Sequence, residues 1–575
     1  MQKFILIIYF YFTVYNTTAQ SYLTHFEKSN GKQTTTYFEC IDYYKTLAKS
    51  FASIKILTGD TTDAGYPLHV VLFSADKNFD INAWHKQHKV VVLINNGIHP
   101  GEPDGIDASM MLLRNLAEGK IKAPENIALA VIPVYNIGGS LNRNNSSRVN
   151  QNGPEQYGFR GNAEDLDLNR DFIKADSKNA FAFEKIFHQL DPDIFIDNHV
   201  SDGADYQHTM TLLTTQHNKL EAEIGNFLHN VFEPALYTSM KEKNWQMCPY
   251  VNFEEGDAST GWDAFYDAPR YSTGYTALFE TIGFMPETHM LKPFADRVKS
   301  TYAFMQTVIE QASKFSDEII EKRKASIETI KQQKQFALSW KVDSSKIEFI
   351  DFKGYDTTMK ISEVTGLPRL YYDHAKPFEK QVKFYNTYTP SVLIQKPKAY
   401  IIPQGWHDVI ARLKLNAVMM HQLKKDTTIQ AEYYVVNDYK SMTKPYEKHH
   451  RNYDINLNTK TDSIHFLKGD YIIYTGQNAD RYIVETLEPL SDDSFFSWNF
   501  FDAVLQRKEY YSDYRWEDVA ADYLKQHTDV RALLEEKKIS DSAFAASSQQ
   551  QLYFVYTHSP YSEPVYMRVP VFRID

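Results

Sequence analysis

Val90-Val91-Val92-Leu93-Ile94-Asn95-Asn96-Gly97-Ile98-His99-Pro100-Gly101-Glu102 decides how the chain is read. Its first five residues are aliphatic, mostly β-branched and apolar on both faces, as in a strand buried in the middle of a sheet. The next residues form a tight loop, and residues 107–116 then show the apolar spacing of an amphipathic helix, with Glu102 and Asp104 near its positive end. In parallel α/β sheets, sites form at the carboxyl ends of strands, which is where His99 and Glu102 stand. Three apart on a loop, an imidazole and a carboxylate can converge on one ion, and both are good zinc ligands. A capping pair at a helix start gives the same spacing. This is nevertheless the only His-x-x-Glu among the 19 histidines.

Outward from this stretch, short apolar runs at residues 68–73, 127–134, 194–196 and 275–279 read as further buried strands. Helical patterns at 179–190 and 219–237 lie between them. Strands alternating with helices predict an α/β fold with a mixed, mostly parallel central sheet flanked by helices. The run Asp193-Ile194-Phe195-Ile196-Asp197-Asn198-His199 ends a second strand on a histidine. A catalytic zinc takes three protein ligands and leaves one place open, and His199 is the natural third ligand. Taken alone, it reads sooner as a satisfied core or strand-end histidine.

Between these runs lies Asp165-Leu166-Asp167-Leu168-Asn169-Arg170-Asp171-Phe172. It resembles the Asp-x-Asn-Arg-x-aromatic signature of the carboxypeptidase A-type zinc metallocarboxypeptidases, and the order of motifs is similar from about residue 65 to residue 310. The resemblance implies one zinc held by His99, Glu102 and His199, with Asp167 orienting His99. It implies that Asn169 and Arg170 grip the terminal carboxylate of a peptide, a fork-to-carboxylate match. Arg160, seven residues before Asp167, takes the oxyanion role, with Arg148 as the competing candidate. Glu280, closing Thr276-Ala277-Leu278-Phe279-Glu280, is the implied general base, ahead of Glu254, Glu255 and Glu287. The tyrosine that closes over substrate in the family falls among Tyr250, Tyr266, Tyr271 and Tyr275. An acidic pocket floor would come from Asp257, Asp263 or Asp267. The implied activity is hydrolysis of the C-terminal peptide bond by zinc-activated water. The alternatives are a zinc amidase or deacylase acting on cell-wall peptides or N-acyl amino acids, and a non-catalytic binding relative.

The rest of the sequence sets the context. Lys3, an apolar run over residues 4–15 and the small residues Thr17 and Ala19 order as a secretory signal peptide over residues 1–20, predicting an exported protein, periplasmic or extracellular. The expected organisation continues with a catalytic domain at 21–312, a helical linker at 313–341 and a β-rich accessory region at 342–575. Residues 308–339 read as one long helix, and 552–556 as one of the accessory strands. The formal net charge of −11, without dense Lys/Arg runs, argues against nucleic acid and anionic membrane surfaces as partners. No stretch of the mature chain is apolar enough to span a bilayer. Cys40 and Cys248 lack metal-site spacing and read as a single bridge or two buried thiols.

Overall fold

The computed structural model describes residues 22–253, 256 and 258–575. The expected signal peptide lies outside the described residues, as do Glu254, Glu255 and Asp257. The first half of the chain builds a nine-stranded sheet. Its strands are β1 (Ile54–Thr61), β2 (Pro67–Ser74), β3 (Val90–Asn95), β4 (Ile127–Ile132), β5 (Ile194–Asp197), β6 (His199–Ser201), β7 (Met210–Thr214) and β8 (Cys248–Pro249). A two-residue strand, β9 (Trp262–Asp263), pairs elsewhere, and β10 (Ile282–His289) completes the sheet. The order is β1-β2-β4-β3-β5-β10-β7-β8, with β6 alongside β10. The centre is parallel: β3 pairs β4 and β5, and β10 pairs β5 and β6 in that sense. Antiparallel pairings β1–β2, β2–β4 and β10–β7 flank it.

The alternation of side chains across β3 explains its fully apolar sequence. Val90, Val92 and Ile94 join one hydrophobic core, while Val91 and Leu93 join the other. Removing each such side chain from water contributes about 1.5–3 kcal/mol. The helices Asp104–Ala117 and Phe294–Lys314 cover the first face. Helix Lys178–Leu190 covers the second, together with residues from the C-terminal half such as Tyr482, Ile483 and Trp498.

Two expected elements are corrected. Residues 275–279 are not a strand: Ser272–Ala277 is a helical turn that buries Tyr275 among Phe172, Phe183 and Phe187, and the strand begins later, at Ile282. The long helix expected over 308–339 is two helices, Phe294–Lys314 and Ser316–Gln332, followed by strand β11 (Gln335–Val342).

The C-terminal half is β-rich. β11 pairs β14 (Tyr388–Gln395), and a long hairpin of β12 (Glu348–Ile361) and β13 (Pro368–Tyr385) recruits β9. A six-stranded sheet combines β15 (Ala399–Ile402), β16 (His421–Gln422), β17 (Thr427–Ser441), β18 (Asn452–Phe466), β19 (Tyr471–Tyr474) and β20 (Arg568–Ile574). Residues 552–556, expected as strand, lie in the helix Ser548–Thr557. This half is joined to the first by buried polar contacts: Tyr275 Oη donates to Asn416 Oδ1 at 2.7 Å, and Asn416 Nδ2 donates to Glu184 Oε2 at 2.6 Å. Cys40 and Cys248 are free, buried thiols. Among the described residues, no helix is long and apolar enough to cross a membrane.

Candidate metal centre and substrate pocket

Strands β3 and β5 are parallel neighbours, so the loop after β3 and the residue after β5 emerge side by side at the carboxyl edge. His99 and Glu102 come from the first and His199 from the second. Together they form a buried group whose ligand atoms lie within 4.8 Å of one another. His99 Nδ1 is 3.1 Å from Glu102 Oε1, and His199 Nδ1 is 3.1 Å from Glu102 Oε2. The outer nitrogens are held from behind: His99 Nε2 lies 2.8 Å from Asp167 Oδ1, and His199 Nε2 lies 3.0 Å from Asp197 Oδ2. This is the carboxylate–histidine arrangement that orients metal-binding imidazoles.

The electrostatics fit a divalent cation. Burial alone would raise the Glu102 carboxyl, but His99, Arg148 and the hydrogen bond from His199 hold it well below the usual carboxylate range. Burial alone would lower His199, but Asp197 and Glu102 raise it well above its ordinary value. The negative field that draws a proton to His199 draws a metal ion to the same nitrogens.

Glycine makes room for this packing. A Cβ on Gly105 would sit 2.4 Å from both Asn198 Cβ and Asn96 Oδ1, so only glycine lets the helix Asp104–Ala117 start against those loops. A Cβ on Gly101 would meet Arg148 Nε at 2.3 Å. The bare backbone there admits the Arg148 guanidinium, whose Nη2 lies 2.6 Å from Glu102 Oε1.

The three candidate ligands open on a cavity of about 450 Å³. Arg160, Arg148, Asn169 and Arg170 line it together with Tyr250, Tyr271 and the apolar side chains of Leu213, Phe265 and Met285. Asp167 organises one wall. It accepts from Arg160 Nη2 at 2.7 Å and caps the short turn Leu168–Arg170 through Asn169 N at 2.9 Å. The Arg170 guanidinium lies 4.6 Å over the Tyr271 ring. Of the tyrosine candidates, Tyr266 is tied to Asp492 and Tyr275 is in the core, so Tyr250 and Tyr271 are the two at the cavity. Of the acidic-floor candidates that are described, neither lines the cavity: Asp263 is exposed, and Asp267 is buried against Lys219.

The expected place of Glu280 is corrected. It lies in the turn before β10, with φ of 54°, and is not among the residues that line the cavity. Its Oε1 accepts from Arg481 Nη1 at 3.0 Å, and its Oε2 accepts from Glu221 N at 2.9 Å. It is an ion-pair carboxylate between the two halves of the chain. Among the described residues, the glutamate that lines the cavity besides Glu102 is Glu287. β10 places it in register with His199 on β6, and side-chain alternation puts it on the same face as Met285. Burial pushes its carboxyl up to about 8, with His199 opposing and Glu102 and Asp197 reinforcing the shift. The sequence carried a signal for it, the alternation Met285–Glu287–His289, but not one that ranked it above Glu280.

A family model described as zinc carboxypeptidase matches residues 40–255, which includes His99, Glu102, Asp167, Asn169, Arg170 and His199 and stops short of both glutamates. Among curated proteins, the chain is similar to carboxypeptidase 2 of Trichophyton equinum, 22% identical over 438 residues, covering 72% of this chain and 74% of that protein. It is likewise similar to carboxypeptidase 2 of Trichophyton rubrum, at 22% over 437 residues, covering 71% and 74%. Among solved structures, a metallo-carboxypeptidase from Burkholderia cenocepacia overlaps 47% of this chain and 68% of its own, at 15% identity and a TM-score of 0.35. A metallo-carboxypeptidase from Pseudomonas aeruginosa in complex with (2-guanidinoethylmercapto)succinic acid overlaps 48% and 69%, at 12% identity and a TM-score of 0.36.

Proposed function

Residues 40–255 carry a zinc carboxypeptidase domain, and from that premise we propose that the chain hydrolyses the last peptide bond of peptides ending in a free carboxylate. One observation carries the reading: Glu287, in register with His199, opens on the same cavity as the guanidinium of Arg170. A proton-transferring group and a carboxylate-binding group thus share one cavity with the metal centre.

His99, Glu102 and His199 would hold the zinc. When bound, the metal supplies a Lewis acid that acidifies water and polarises a carbonyl. The other roles belong to the chain. Asn169 and Arg170 bind the terminal carboxylate, the guanidinium fork by two parallel donors. Arg160, with Arg148 beside it, presents positive charge where the scissile carbonyl oxygen becomes negative. The burial that raises the Glu287 carboxyl would be opposed by a divalent cation held by the three ligands. The ionised Glu287 takes a proton from the attacking water and returns it to the departing amine. Asp167 and Asp197 keep the two imidazoles in one tautomer and orientation. Tyr271, stacked on Arg170, shields the bound carboxylate from solvent, and Leu213, Phe265 and Met285 receive the terminal side chain. The order of charge, apolar run and small residues over 1–20 supports export to the periplasm or the extracellular space.

The test is a residue scan. The purified mature chain is given peptides differing only in their last residue, with and without a zinc chelator, and products are read by mass. Release of one C-terminal residue, lost on chelation, is expected. Failure to release any terminal residue while zinc is bound would overturn the reading.

A further inference from the structure

We propose that the C-terminal half braces the active site from outside, and that Glu447, on its β17–β18 hairpin, is a positioning residue for the Asp167–Arg170 segment. The inference rests on the assignments made above for Asp167, Asn169 and Arg170.

The hairpin ends in a tight turn. Tyr446 N donates to His449 O at 2.8 Å and His449 N donates to Tyr446 O at 3.1 Å, leaving Glu447 and Lys448 as its two central residues. Their φ angles are 48° and 75°. Two-residue turns with both central residues at positive φ are the natural home of Asn-Gly, because larger side chains are strained there. Glu-Lys is therefore a poor choice for making the turn, and both side chains are engaged elsewhere. Glu447 Oε2 accepts a hydrogen bond of 2.8 Å from the backbone N–H of Asp167, 280 residues away in sequence. Lys448 Nζ lies 3.6 Å from Glu164 Oε2, and His449 Nε2 lies 2.7 Å from Asp176 Oδ2. The turn grips the outside of the segment whose inside holds His99 through Asp167 and presents Asn169 and Arg170 to the cavity. Backbone strain of this kind persists where the surroundings over-determine it, and such positions cluster at functional sites. The bond to the Asp167 N–H fixes the residue from which His99, Arg160 and the turn Leu168–Arg170 take their positions.

Three full-length variants test this. Glu447→Ala removes the acceptor. Glu447→Gln keeps an oxygen at the same reach. The double variant Glu447→Asn, Lys448→Gly installs the favoured turn and removes the contact. Michaelis parameters on a free-acid peptide are measured beside zinc retention against a competing chelator and the melting temperature. Losing the acceptor should raise KM and weaken zinc retention by about three- to tenfold each, less than the roughly 10–100-fold seen when a direct partner of a metal ligand is lost, because Glu447 acts one residue further out. The Asn-Gly variant should show these losses while melting no lower than the parent, which a merely structural role does not produce. Glu447→Gln should stay within twofold of the parent in both readouts. Parent-like KM and zinc retention in the Asn-Gly and alanine variants would overturn the proposal. A parent protein whose zinc is indifferent to His99→Ala would instead overturn the metal-site assignment beneath it.

Discussion

Glu287→Gln is expected to lower kcat by about 10²–10⁴-fold, the contribution of a positioned acid–base group, with zinc still bound. Glu280→Gln should leave kcat within a few fold and lower the melting temperature instead. The contrast follows from geometry. Glu287 faces the cavity beside His199, whereas both Glu280 oxygens are taken by Arg481 and by the backbone N–H of Glu221. Glutamine at 287 keeps the shape but cannot accept the proton. Glutamine at 280 removes a charge opposing the buried Arg481. Losing one partner of a buried pair costs up to about 3–5 kcal/mol, moderated here because Arg481 also bonds Glu485 at 3.1 Å. Zinc content, steady-state turnover and a thermal melt on the two variants separate the roles. Full activity in Glu287→Gln would remove it as the base.

Arg170→Ala should cut kcat/KM on free-acid peptides by about 10²–10³-fold, since truncating one side of a hydrogen-bonded charge pair costs about 2–5 kcal/mol. Arg170→Lys should recover only part of this. A lysine brings charge but not the planar fork, nor the stacking that holds Arg170 4.6 Å above Tyr271. The loss should appear mainly in KM if the carboxylate is gripped equally in ground and transition states. An Arg170→Ala enzyme with unchanged KM and kcat would place the carboxylate elsewhere in the cavity, with Arg148 and Arg160 the remaining cations there.

The legible parts of this molecule are those where local sequence and tertiary role agree. β3 is apolar on both faces because both faces are buried, so its residues announce a central strand and the loop after it announces a site. His199 was legible for the same reason, closing the run 194–197. The turn Leu168–Arg170 was legible because Asp167 caps it from within the motif itself. β10 was not legible. Pro286 sits inside it, a residue that argues against a central strand. The structure tolerates it because the ladder breaks at that point: β10 pairs β5 up to Phe284 and β6 from Glu287, with Asn198 opposite the gap. The apolar run before it, with Tyr275 and Phe279, looked more strand-like but is buried as a helical turn in an aromatic cluster. Periodicity over so few residues cannot separate those two outcomes. The grip of Glu447 on Asp167 was invisible for a different reason. It joins segments 280 residues apart, and its only local trace is a turn whose residues suit the turn badly.

The most direct measurement compares one peptide in two forms, with a free C-terminal carboxylate and with a C-terminal amide, as substrates for the purified zinc-loaded protein. Release of the last residue is expected from the free acid, with a fall of about 10²-fold or more in kcat/KM for the amide, whose neutral group leaves Arg170 without its charged partner. Equal turnover of the two forms, or cleavage within the chain rather than at its end, would contradict a site built around a terminal carboxylate.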